Sequence, residues 1–270
     1  MKFGLCRLIC CGLLCAVLTP AAVYAQTTVC ANYIPVPADG RGTGIVTHFI
    51  PASTTHWFTV EGIANRSYSI EIFDPTDGGA SVPTPVVYVG ATFNTGTCTG
   101  TLLSPAPTNT AQSDPGLVTF DTLPFAGERV SFIAPTTDDY VIAITSGGTG
   151  FSYTLSVTET TMFSPRWSTF SGFTTFYGFT NTTNSAISVT LRLTNTAGTV
   201  VATSTQSIPA NQVIYLTTTS LGVANNNAGM ATLAHNGPPG GILADAIVGN
   251  FAVSPPTTMV TKFEERHSAH

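Results

Sequence analysis

Two adjacent carboxylates, Asp138 and Asp139, stand just before the apolar run 140–144. Loop carboxylates can help to hold calcium, which takes six or more oxygens from several positions. Neighbours along an extended chain point to opposite sides, so both rarely serve one ion through their side chains. The simpler reading is a polar turn with solvated acids and Tyr140 packed inward. The turn at 73–79, Phe-Asp-Pro-Thr-Asp-Gly-Gly, is the better cation candidate. Asp74 and Asp77 would bind there beside backbone carbonyls, although the acid spacing of an EF-hand loop is missing and an Asp-Pro turn explains the residues equally well.

His235 and Asp245 flank a Pro-Pro-Gly-Gly turn and could be enlisted as a hydrolase pair. A Ser/His/Asp set needs three converging groups and an oxyanion hole. The chain has no G-x-S-x-G, no H-E-x-x-H and no Gly-rich phosphate loop leading into a helix. Its five histidines are scattered, with His267 and His270 in a polar tail, so no zinc triad is legible. The residues therefore predict no catalytic group and no cofactor, structural calcium at Asp74 and Asp77 being the one candidate. His235 and Asp245 are expected to bracket a hairpin.

Trp167, Phe170, Phe173, Phe176 and Phe179 recur every third residue, with Tyr177 added. That interval matches neither a strand nor an α-helix. Gly172 is expected to divide the run into a connector and a strand in which Phe176 faces one way and Tyr177 and Phe179 the other. One face must be core. The other, with Trp167, Phe170, Phe173 and Tyr177 as candidate ligand or partner residues, forms an apolar patch. An interdomain contact, a partner or a stacked sugar ring would cover it.

The elements that must position these residues are strands. No long 3.6-residue pattern follows residue 25. Before it, Lys2 and Arg7, a short apolar stretch at 8–18, Pro20 and Val23-Tyr24-Ala25 read as a secretory signal peptide cut before Gln26. A lipid-attachment cut at Cys15 fits poorly because bulky Leu14 precedes it. Cleavage at 25 removes four of the six cysteines and leaves Cys30 and Cys98, expected to form one disulfide in an oxidising compartment. Charged residues make up only 9% of the chain, which argues against a helical cytosolic enzyme and for an all-β extracellular protein. Residues 26–160 hold three arginines against eleven acids, and neither half offers the basic patch that nucleic acid requires. No later run is long and apolar enough to span a membrane.

Period-two runs predict strands at 44–50, 55–61, 68–73, 85–89, 117–120, 129–133, 140–144 and 151–157. They make a β-sandwich of jelly-roll or Greek-key type closed by a 140–157 hairpin around Ser146-Gly147-Gly148. A second set follows at 174–180, 187–194, 200–205, 213–217, 229–235, 242–248 and 258–263, with a hairpin turn at Asn195-Thr196-Ala197-Gly198. Its spacing suits an Ig-like sandwich. The halves share no sequence repeat. The expected organisation is thus a signal peptide (1–25), a first sandwich with one disulfide (26–160), a second sandwich (161–263) and a polar tail (264–270).

Phe132, Ala134, Pro135, Tyr140, Ile142, Ile144, Tyr153, Leu155 and Val157 follow the pattern F-x-A-P, then Y-x-I-x-I, then Y-x-L-x-V. In this, residues 44–160 resemble the bacterial pre-peptidase C-terminal domain. That resemblance implies a non-catalytic accessory module of the kind carried by secreted hydrolases. The family's Asp-rich middle strand is replaced here by residues 83–93, Pro-Thr-Pro-Val-Val-Tyr-Val-Gly-Ala-Thr-Phe, so its cation site is not implied. Residues 162–263 more loosely resemble the Ig-like modules of bacterial surface proteins. The resulting expectation is a secreted, non-enzymatic binding or adhesion protein that meets an extracellular protein or glycan through loops, strand edges or the aromatic patch. A structural subunit that meets copies of itself is the alternative, and a hydrolase centred on His235 and Asp245 the third reading.

Overall fold

The computed structural model describes residues 30, 34–36, 38, 46–73, 84–109 and 127–265. The segment expected to be a signal peptide, the strand expected at 117–120, Asp74, Asp77, His267 and His270 lie outside the described residues. Within them the chain is all strand, with two short 3-10 turns and no α-helix.

The first sandwich is built from β1 (Ile34–Pro35), β2 (Val46–Ile50), β3 (Thr55–Gly62), β4 (Ser67–Phe73), β5 (Val86–Val89), β6 (Thr108–Asn109), β7 (Gly127–Ile133), β8 (Asp138–Thr145) and β9 (Phe151–Glu159). One sheet runs β2-β9-β4-β7-β6 and the other β1-β3-β8-β5. Alternation supplies the core: on β9, Phe151, Tyr153, Leu155 and Val157 turn inward to meet Phe58, Val60, Ile142 and Ile144 of the facing sheet.

The second sandwich is built from β10 (Met162–Ser168), β11 (Thr174–Asn181), β12 (Ile187–Asn195), β13 (Val200–Ile208), β14 (Val213–Thr217), β15 (Ala228–His235), β16 (Ile242–Asn250), β17 (Thr257–Lys262) and β18 (Glu264–Glu265). Its sheets run β13-β12-β15-β10-β18 and β14-β11-β16-β17, around a separate core of Trp167, Tyr177, Phe179, Leu191, Leu233 and their neighbours.

Strand order corrects three expectations. First, β8 and β9 are not a hairpin. They lie in opposite sheets, and the connection at 146–150 arches over the end of the core. Both edges of β8 are already taken by β3 and β5, and both edges of β9 by β2 and β4. The arch is zipped to the neighbouring one: Ser53 N donates to Gly147 O (2.7 Å), and Ser146 Oγ accepts from Thr54 N (3.1 Å). Second, His235 and Asp245 bracket no hairpin, since β15 and β16 also belong to opposite sheets. Third, the halves share a winding that their sequences hide. Among β2, β3, β4, β7, β8 and β9 one sheet places them first-sixth-third-fourth and the other second-fifth. The run β10 to β15 repeats that order. In the second sandwich β11–β14 and β12–β15 match the B–E and C–F pairs of an Ig-like core. The flanks differ, because β16 joins β11 and β10 takes the place beside β15.

Two local features also depart from the sequence reading. The connector expected before Gly172 holds a strand, β10, whose register against β15 jumps between Ser164 and Trp167, where a bulge accommodates Pro165. The polar tail loses Glu264 and Glu265 to β18, which pairs with β10.

Alternation on β3 predicts an outward Trp57, yet that ring is buried. Tyr88 and Phe93 pack on it with ring centroids 6.2 and 5.3 Å away, and Cys30 and Cys98 close the cover as a disulfide with Cα atoms 5.6 Å apart. The bond spans 68 residues, so the chain-entropy relation gives it about 4 kcal/mol. Cys98→Ser is expected to lower stability by roughly 2–5 kcal/mol in denaturant titration. Trp57 emission should shift to the red in the variant, well before the buried Trp167 of the second sandwich is exposed; an unchanged midpoint contradicts the assignment.

Candidate functional site

The structure splits the aromatic series instead of gathering it. Trp167 and Tyr177 are core residues, which corrects their assignment to a patch. The Trp167 indole Nε1 donates to Met230 O (3.0 Å) and to Thr194 O (3.3 Å), and Tyr177 stacks on Phe179 with centroids 6.2 Å apart. Phe176 faces the opposite way from Tyr177 and Phe179, as the alternation requires. Only Phe170 and Phe173 share an open site. Among the described residues nothing from the first sandwich covers them; the lining belongs to the second.

That site is a groove of about 470 Å³ on the side of the second sandwich where β17 and β10 leave the sheets unjoined. Phe170, Phe173, Val248 and Met259 form its apolar lining, and Arg166 stands at its rim. The groove closes at one end, where Ser164 Oγ meets Thr261 Oγ1 at 3.1 Å. At the other end β17 presents Thr257, Thr258 and Met259 with no strand on its outer edge among the described residues. The Pro165–Arg166 bulge turns the guanidinium outward, and no ion pair or hydrogen bond engages it among the described residues.

The turn that presents Phe170 is held under strain. Ser171 has φ 50° and ψ 40°, and Gly172 follows at φ 80°; two left-handed residues in succession suit glycine and cost a serine. Hydrogen bonds hold the turn: Asn250 Nδ2 donates to Ser171 O (3.0 Å), Phe170 N to Ser168 Oγ (3.2 Å) and Ser168 N to Thr175 Oγ1 (3.0 Å). Gly172 does divide the series, as the sequence indicates, and the turn explains why Phe170 remains 48% exposed three residues from a fully buried tryptophan.

The other sequence candidates do not converge. Asp138 Oδ2 accepts from Ala91 N (2.9 Å) and its Oδ1 from Asp139 N (2.9 Å), so that carboxylate pins the 3-10 turn at Gly90–Thr92. Asp139 is exposed and Tyr140 is buried. His235 is fully buried where the sandwiches abut, whereas Asp245 stands on the exposed outer face of β16 beside Lys262 of β17. The joint around His235 is polar: Thr160 N donates to Ser67 O (2.8 Å), Ser67 N to Thr161 Oγ1 (2.8 Å), Asn236 Nδ2 to Thr108 Oγ1 (2.7 Å) and Arg192 to Asn65 Oδ1 (2.8 Å). A second cleft opens beside it, but Arg66 there is already paired with Glu159 at 3.1 Å and lies over the Phe163 ring.

Sequence reasoning missed one cluster. His48 of β2 and His56 of β3 face each other inside the first sandwich, with ring centroids 6.2 Å apart. His56 Nδ1 lies 2.8 Å from Tyr153 Oη, and its Nε2 has no partner. The signal was available, since His56 shares the inward register of Phe58 and Val60. Burial pushes His56 down to about 4, with His48 nearby adding to the shift, and lowers His48 as well. Burial also pushes His235 down to about 4, opposed by the backbone at Gly237 and Thr160; neither of its ring nitrogens makes a hydrogen bond of ordinary geometry.

No protein-family model and no curated protein matches the chain. Among solved structures 13 chains match. The full extracellular region of zebrafish Gpr126/Adgrg6 aligns at TM-score 0.22 and 9% identity, over 88% of this chain and 34% of its own. A beta-glucuronidase from glycoside hydrolase family 2 aligns at TM-score 0.18 and 12% identity, over 89% of this chain and 26% of its own. The chain thus spans about a third of the first and a quarter of the second.

Two measurements test this arrangement. Trp167→Ala empties a core site and is expected to cost about 3–5 kcal/mol, whereas Phe170→Ala at the groove should cost less than about 1 kcal/mol. Comparable losses in thermal melting would mean that Phe170 is core. The depressed histidines give the second. They are neutral in the folded chain and protonated in the unfolded chain below about pH 6.5, so their contribution is full above that pH and is lost as pH falls through about 4. His56→Gln should flatten the fall in melting temperature between about pH 7 and about pH 4; an unchanged slope would show that His56 already carries its proton when folded.

Proposed function

We propose that this chain is an exported, non-enzymatic binding protein that takes an extended segment of an extracellular protein at the open side of its second sandwich. The observation that carries the reading is the groove beside β17, an apolar slot next to a strand with no neighbour on its outer edge among the described residues. Strand addition supplies affinity through main-chain hydrogen bonds and specificity through pockets for alternate side chains. A strand laid on β17 sends every second side chain toward Phe170, Phe173 and Met259. The free guanidinium of Arg166 favours an acidic group nearby on that segment.

Several features support the compartment and the class. The first 25 residues read as an export signal, and the disulfide suits an oxidising exterior. Residues 44–160 resemble an accessory domain of secreted hydrolases. The separation of His235 from Asp245 weighs against the hydrolase reading. No helix among the described residues is long and apolar enough to cross a membrane.

Panning a secreted-peptide library against the full chain tests the proposal. Bound peptides should be extended and share an apolar residue close to an acidic one. Phe170→Ala should weaken binding by about tenfold or more, and Arg166→Gln should reduce its salt dependence. Binding that ignores both substitutions, or retention of glycans alone on a parallel array, overturns it.

A further inference from the structure

The outer face of the sheet β14-β11-β16-β17 carries side chains that a solvated sheet would not. Three rows cross it in register. Thr217, Phe176, Ile247 and Val260 form one, Tyr215, Gly178, Asp245 and Lys262 the next, and Val213, Thr180 and Leu243 the third. Phe251 folds over Gly249 at the Phe176 end, with its ring edge-on to Phe176 at 5.3 Å. Tyr215 is 76% exposed, Val260 65% and Leu243 60%. Phe176, Val213, Ile247 and Phe251 are also more than a third exposed, so large side chains crowd one face in a way that marks an interaction surface.

We infer that this face is covered by a second copy of the chain, related by a two-fold axis parallel to the strands between β11 and β16. Charge placement argues for that occupant. The face holds one acid and one base, Asp245 and Lys262, both on the β16–β17 half. The axis lays each half on the uncharged half of the other copy, so like charges never meet. Lys262 then faces the second copy's Tyr215 ring, a favourable cation–π geometry. Asp245 faces the second copy's Gly178, the one site in its row without a side chain, while Lys262 beside it keeps the buried pair neutral. In the first row Phe176 meets the second copy's Ile247, and in the third Leu243 meets Thr180. An isologous contact needs such self-complementarity, and the order β14-β11-β16-β17 supplies it about its own midline. Strands aligned across the contact give the usual packing of two sheets.

The groove lies on another side of the sandwich, so this inference and the peptide reading fail independently. Sedimentation equilibrium of the full chain, from micromolar to millimolar, should report a reversible dimer. Tyr215→Lys sets lysine against Lys262 and should weaken association by roughly 30-fold or more. Tyr215→Glu sets an acid there and should retain the dimer. Both replace a highly exposed side chain, so the fold should persist, which melting curves check. Phe170→Ala should leave the dimer intact. A monomer at every concentration overturns the inference, whether or not another protein binds the face, and so does equal weakening by Tyr215→Lys and Tyr215→Glu.

Discussion

Two residues constrain everything else in this chain. Thr160 and Thr161 carry the backbone from β9 to β10 with no exposed linker, and both are buried. Ser67 meets each of them, giving its carbonyl to one and its amide to the other. A joint this short lets the ends of two strands, Glu159 and Met162, separate by no more than about 11 Å. The sandwiches must therefore abut through polar side chains, among them Asn65, Thr108, Arg192 and Asn236, and His235 is sealed in between. A buried polar contact is tolerated when its groups are paired; here the Ser67 and Thr160 backbone and the Asn236 amide are, whereas Ser67 Oγ, Thr160 Oγ1 and the His235 ring nitrogens have no side-chain hydrogen bond of ordinary geometry. The joint occupies the 65–67 turn, and the groove and the outer face of the β11–β16 sheet are clear of the described residues of the first sandwich.

The strands were legible because alternation is a direct physical signature. β9 and β12 bury alternate side chains along nearly their whole length, and half-buried sheets have no other way to hide apolar residues. What the sequence could not convey was which strand pairs with which. Ser146 to Gly150 reads as a turn whether it joins neighbours in one sheet or arches between two, since both demand the same local residues. The common winding of the halves was hidden for the same reason: packing fixes which positions are apolar, and many unrelated sequences satisfy that.

The site was half legible. Five aromatic residues at a regular interval announced something unusual, but the interval had no single structural cause. Trp167 is the last inward residue of a bulged strand, Phe170 sits on a strained turn, and Phe176 belongs to a new strand with its own phase. Pro165 lies in the bulge that frees Arg166. Trp57 was misleading in the opposite sense. Its outward register was right, but its cover comes from Tyr88, Phe93 and a cysteine pair distant in sequence. The strand edge of β17 could not be anticipated, because whether an edge is free depends on every other pairing.

The shared winding also governs the order in which this chain can acquire structure. In the first sandwich β2 pairs only with β9 among the described residues, so Ile50 waits for Phe151 and His48 for Tyr153. A chain made from its N-terminus delivers that partner about 100 residues later. Until then an extended apolar strand stands unpaired, the circumstance in which loop-closure entropy slows folding and exposed edges find wrong partners. The second sandwich contains two local hairpins, β12 with β13 and β16 with β17, which can form as soon as they emerge. The half made last therefore has the faster start, and it can offer the buried joint as a template on which the slower half closes.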